Sequence, residues 1–82
     1  MEASEGLIVR SKAGRDKGGM FVILKLEDGF AYVADGDLRK VDRPKKKKLR
    51  HLQLSGFEIT LDLTAEISDR KVREALAEYS EN

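Results

Sequence analysis

Val9-Arg10-Ser11-Lys12-Ala13-Gly14-Arg15-Asp16-Lys17-Gly18 is the most informative stretch of this 82-residue chain. It opens inside a short run rich in β-branched residues, Leu7-Ile8-Val9-Arg10-Ser11, which reads as a strand. Gly14 permits a sharp change of direction, two basic residues flank Asp16, and Gly18 releases the chain into Met20 to Leu26, the most apolar segment. Glycines suit such a turn because they reach φ > 0 without steric cost and leave backbone N–H groups open to phosphate oxygens. Arg15 can fork two phosphate oxygens, whereas Lys12 and Lys17 act as mobile point charges. Asp16 is suited to pinning the loop through backbone amides, and its charge argues against a phosphate contact.

Working outward, Glu27-Asp28-Gly29 signals a turn and Phe30-Ala31-Tyr32-Val33-Ala34 a further strand. Asp35-Gly36 fits a type I′ hairpin turn, with Leu38-Arg39-Lys40-Val41 as the fourth strand and Pro44 at its end or on a sheet edge. Leu49 to Leu54 supplies a fifth, with Leu52 and Leu54 on one face and His51 and Gln53 on the other. Short strands joined by glycine turns indicate a small antiparallel barrel rather than βαβ units. Beyond Ser55-Gly56 the pattern changes: Phe57, Ile59, Leu61 and Leu63 alternate with Glu58, Thr60, Asp62 and Thr64, the period of a half-buried strand. Ser68-Asp69 then offers a capping hydroxyl and a first-turn carboxylate, and Val72, Ala75, Leu76 and Tyr79 follow at helical spacing. The expected division is a barrel over residues 5–54 and an acidic extension over 55–82, a strand plus a helix of about three turns packed on the barrel or on a partner.

Length and composition narrow the function classes. Eighty-two residues make one domain, which at this size buries only about 60–65% of its unfolded surface. There is no cysteine, hence no disulfide framework and no thiolate metal site. The first residues lack the basic segment followed by an apolar stretch that marks a signal peptide. The longest apolar run, Met20 to Leu24, falls far short of the ~20 residues that span a bilayer. A cytoplasmic protein without a membrane partner is expected. His51 is the only histidine, too isolated for a zinc site and a poor catalyst; it is either a solvent-facing strand residue or a contact to a bound partner beside Arg50. Asp35 and Asp37 read as turn residues rather than an acid–base pair. With no nucleophile–base pair, metal cluster or cofactor loop, neither an enzyme, nor a cofactor, nor a small-molecule substrate is expected.

The net charge of +1 conceals a division. Residues 1–52 hold thirteen Lys/Arg against eight Asp/Glu, a net +5; residues 53–82 hold three against seven, a net −4. Such asymmetry points to an anionic partner for the basic part. Arg39 to Arg50 alone contains eight Lys/Arg and one acid, Asp42. A lysine-rich edge can serve simply to discourage strand pairing, but that needs one or two lysines, and four in succession repel one another unless an anion relieves them. Lysines give charge and not base identity, so this surface should be weakly sequence-specific. Phe30 and Tyr32 share a face and are either a stacking platform for unpaired bases or barrel core with the Tyr hydroxyl at the rim, the second being the preferred reading.

The Gly14-Arg15-Asp16-Lys17-Gly18 loop between two strands resembles the KOW motif of ribosomal and transcription-elongation proteins. Ser11 to Gly18, Ala34-Asp35-Gly36 with Leu38-Arg39-Lys40, Pro44 with Lys45 to Lys48, and His51-Leu52 together resemble bacterial KOW-domain RNA-binding proteins, which are grouped with the archaeal and eukaryotic large-subunit ribosomal protein family L-fourteen-e. The resemblance covers roughly residues 6–54, and Ile67 to Leu76 is more weakly similar to the C-terminal helix of some members. One position departs: Phe21 stands where many ribosomal KOW loops carry a further glycine, and it is expected to turn into the core. The resemblance implies a mainly β fold, a five-stranded SH3-like barrel with a short C-terminal helix. It also implies non-catalytic binding of RNA, usually ribosomal RNA, within the translation machinery. The expected RNA-contacting set is Ser11, Lys12, Gly14, Arg15, Lys17, Gly18, Arg39, Lys40, Arg43, Lys45, Lys46, Lys47, Lys48, Arg50 and His51. The alternative is a protein–protein adaptor using the barrel and the apolar C-terminal strand.

Overall fold

The computed structural model describes residues 2–60 and 67–81. Five antiparallel strands, β1 (Leu7–Ser11), β2 (Met20–Glu27), β3 (Phe30–Ala34), β4 (Lys45–Lys48) and β5 (Leu52–Glu58), form one sheet in the order β4-β3-β2-β1-β5. A helix, α1 (Asp69–Glu81), follows. Although β4 and β5 lie at opposite edges, only a single 3₁₀ turn, Leu49–His51, separates them. A connection that short makes the sheet curl until its edges converge, which gives a small barrel-like shape.

Both faces of β1 and β2 are covered, and this explains why Leu7-Ile8-Val9 and Met20 to Leu24 read as unbroken apolar runs. Leu7, Val9, Phe21, Ile23, Ala31, Val33 and Leu52 fill the concave interior. Ile8 and Val22 point the other way and are buried with Val72 of α1, flanked by Met20, Leu24, Val41, Phe57, Ile59, Ile67, Leu76 and Tyr79. The helical stripe therefore docks on the sheet of its own chain. Ser68 caps α1 by accepting the Lys71 amide at 3.1 Å. As expected, Phe21 is core, 2% exposed.

Several expectations are corrected. The type I′ hairpin turn is at Asp28-Gly29, where Glu27 pairs with Phe30 and both central residues have positive φ, 45° and 81°. At Asp35 the carboxylate instead accepts the amides of Asp37 and Arg39 at 2.9 and 2.8 Å, and Arg39 O accepts those of Asp35 and Gly36. This ties residues 35–39 into a closed loop, so Leu38 to Val41 cannot be a strand; Leu38 is 84% exposed, and the fourth strand is the tetralysine. Next, Leu49 to His51 is 3₁₀ and the fifth strand begins at Leu52. That strand crosses the expected 54/55 boundary without a break. It bulges at Ser55-Gly56, where Leu7 to Val9 of β1, three residues, face the five-residue span Leu54 to Glu58. Ser55 Oγ accepts the Phe57 amide and donates to Ile8 O, which satisfies the bulged backbone. The change of apolar phase there marks a handover from the interior, which takes Leu54, to the outer core under α1, which takes Phe57 and Ile59. Leu61 and Leu63 lie outside the described residues. Finally, Phe30 and Tyr32 are not interior: Ala31 and Val33 are, and the two rings lie half-buried on the outer face.

Candidate nucleic-acid interface

The Ser11 to Gly19 loop closes on itself through backbone bonds. Ser11 N–H donates to Gly19 O at 2.9 Å, and Ser11 O accepts from Gly18 N–H at 2.8 Å, while Lys17 N–H donates to Gly14 O and Gly19 N–H to Asp16 O. Gly14 and Gly18 take φ of 77° and 88°, the left-handed conformation their place in the motif anticipates. Among the described residues, the amides of Ala13, Gly14, Arg15 and Asp16 have no acceptor, which leaves four successive donors at the loop tip.

Asp16 anchors the loop differently from the expectation. Its carboxylate, 13% exposed, accepts from Arg39 Nη2 at 3.2 and 3.3 Å and lies 3.6 Å from Lys47 Nζ. Lys47, 9% exposed, also donates to Ala13 O at 3.3 Å. Among the described residues the buried Arg39 Nε has no acceptor, so Asp16 provides the compensation for this guanidinium. Ser11 is 1% exposed and its hydroxyl donates to Ala13 O. Three members of the expected RNA-contacting set, Ser11, Arg39 and Lys47, are thus occupied in holding the loop. Replacing Asp16 with alanine should lower stability by about 2 kcal/mol, read by urea denaturation. Removing one partner from a buried ion cluster strands the others, and partial exposure reduces the penalty. Asp16→Asn, which keeps the acceptor oxygen, should lose less.

The same contacts bring the two basic segments together. Lys47 reaches the loop carbonyl of Ala13, Arg39 reaches Asp16, and Lys12 N–H donates to His51 O at 2.8 Å. Lys12, Arg15 and Lys17 on the loop are exposed, as are Lys40, Arg43, Lys45, Lys46, Lys48 and Arg50 on the run. His51 is half-buried and serves through its carbonyl.

Register explains which lysines of β4 face where. Lys46 and Lys48 pair with Tyr32 and Phe30 on the outer face, whereas Lys47, opposite Ala31, turns toward the loop. Lys46 Nζ sits 4.6 Å from the Phe30 ring centroid and 5.8 Å from that of Tyr32. Lys25 Nζ approaches Tyr32 at 5.9 Å. Sequence reading misses Lys25 because strict alternation places it with Phe21 and Ile23. A one-residue bulge on β2 between Ile23 and Lys25 turns it outward, opposite Tyr32. Arg10, exposed and donating to Gly18 O at 3.0 Å, is a second basic residue at the loop that the motif does not include.

Among the described residues, no group of three or more His, Cys, Asp or Glu could hold a metal ion, and no helix is long and apolar enough to cross a membrane. Compared with protein-family models and with curated proteins, the chain matches neither.

Proposed function

We propose that this chain is a non-catalytic RNA-binding protein of the cytoplasm, ribosome-associated and built on an SH3-like barrel of the KOW type. The curled five-stranded sheet, with a lone 3₁₀ turn joining its edges, supports the barrel assignment. The observation that carries the functional reading is the merging of the loop with the basic run. Segments far apart in sequence share one end of the molecule and leave Lys12, Arg15, Lys17, Lys45, Lys46, Lys48 and Arg50 facing solvent. Free loop amides beside mobile cations make a surface for phosphate oxygens, positioning an RNA backbone without reading its sequence. The adaptor alternative uses the barrel and the apolar C-terminal strand; of that strand, Phe57 and Ile59 are packed in cis, with Phe57 edge-on to Tyr79 at 5.6 Å.

Co-sedimentation tests this reading. The native chain should pellet with ribosomal particles at moderate salt, be released at high salt, and be competed off by free ribosomal RNA. Pelleting that free RNA cannot compete would indicate a protein partner and sink the RNA assignment.

A further inference from the structure

The outer face of β2, β3 and β4 carries aromatic rings that phosphate contacts do not explain. Lys46 covers one side of the Phe30 ring. Beside Phe30 opens a cleft of about 260 Å³ lined by Gly29, Phe30, Lys48 and Arg50. At this size it falls below the ~300 Å³ where sites for drug-sized ligands begin, so it suits one planar ring system rather than a whole cofactor. Gly29 bounds it without a side chain, and a Cβ there would meet nothing within 4 Å. Lys48 and Arg50 are exposed cations at its rim. A half-buried ring in a shallow slot between two free cations matches a ligand with a flat π surface and negative charge on either side.

We propose that this cleft takes a single unpaired base of RNA, stacked on Phe30, with Lys48 and Arg50 on the flanking phosphates. The proposal rests on the RNA-binding reading above and sharpens it: the chain should prefer loops, bulges and single strands over duplex, because only unpaired bases can enter a slot. Stacking on an aromatic side chain tolerates any base, in keeping with a surface whose exposed cations are mostly lysines.

The test is fluorescence anisotropy at about 0.1 M salt with the full chain, a single-stranded RNA of about 12 nucleotides and a blunt duplex of the same length. A 2-aminopurine in the single strand reports stacking. The parent should favour the single strand and quench the probe. Phe30→Leu should weaken single-strand binding about tenfold and abolish quenching, while Phe30→Tyr, which keeps a ring, should retain both. Duplex affinity should be the same in all three proteins. Equal, salt-sensitive binding of single strand and duplex by the parent would overturn the stacking site while leaving the phosphate reading intact. Binding to neither RNA would overturn both. Loss of single-strand and duplex binding alike in Phe30→Leu would assign Phe30 a purely structural role, and displacement by an acidic peptide without any preference for unpaired RNA would point to a protein ligand instead.

Discussion

Replacing Gly36 with alanine should destabilise the protein by about 3 kcal/mol, whereas Gly29→Ala should lose only about 1 kcal/mol. Both glycines occupy the left-handed region, with φ of 77° and 81°, so the conformational penalty of a Cβ is the same at each. They differ in space. A Cβ on Gly29 meets nothing within 4 Å, while one on Gly36 would overlap Asp69 O and approach Arg73 Cγ at 2.9 Å. Backbone of α1 thus lies directly against the 35–39 loop, and overpacking there adds roughly 1–3 kcal/mol. The seat is reinforced by Arg73 Nη1 donating to Gly36 O at 2.6 Å and by Val41 N–H donating to Asp69 Oδ1 at 2.8 Å. A domain of this size has a total stability of about 4–12 kcal/mol, so the difference is readily resolved by urea denaturation. Equal losses at the two positions would mean that α1 is not seated on this loop.

Changing Lys45, Lys46, Lys48 and Arg50 together to serine should lower RNA affinity about 100- to 1000-fold at about 0.1 M salt, because each phosphate left without its cation keeps close to one condensed counterion that binding would otherwise release. Lys47 stays unchanged in that variant. Its ammonium is committed to Asp16 and Ala13 O, so Lys47→Ser alone should lower stability through the uncompensated loop and change RNA affinity far less than any exposed pair from the set. Equal effects of Lys47→Ser and Lys48→Ser on affinity, measured by anisotropy with folded variants, would contradict this division of the tetralysine.

The contrast between Lys47 and its neighbours marks how far the sequence can be read. Strands β1, β2 and β3 and the Ser68-capped helix follow from local chemistry: β-branched runs, a capping hydroxyl, an apolar stripe at helical spacing. The Gly14 to Gly18 loop is likewise local, and its glycines take the expected conformation. What is not legible depends on pairing at a distance. Nothing within Lys45 to Lys48 says strand; its partners Phe30 to Val33 impose it. Asp35-Gly36 carries a hairpin signature, but the strand that pairs with β3 begins only at Lys45, and the Asp35 carboxylate organises a closed loop in between. Ser55-Gly56 looks like a boundary and is a bulge, since a strand can hand its apolar side chains from one core to another without leaving the sheet. Within the site, the exposed cations of the basic run are legible as charge. The capture of Arg39 and Lys47 by Asp16 is not, because it joins residues that lie far apart along the chain. The outward turn of Phe30, Tyr32 and Lys25 depends on the hairpin register and on one inserted residue in β2.

The most direct test of the proposed phosphate-binding surface is the salt dependence of binding to a structured ribosomal RNA. Strand β4 and the turn after it alone present four exposed cations, Lys45, Lys46, Lys48 and Arg50. The parent protein should show log K falling linearly with log salt, at a slope of about −3 or steeper. A slope near zero, or no measurable binding near physiological salt, would contradict it.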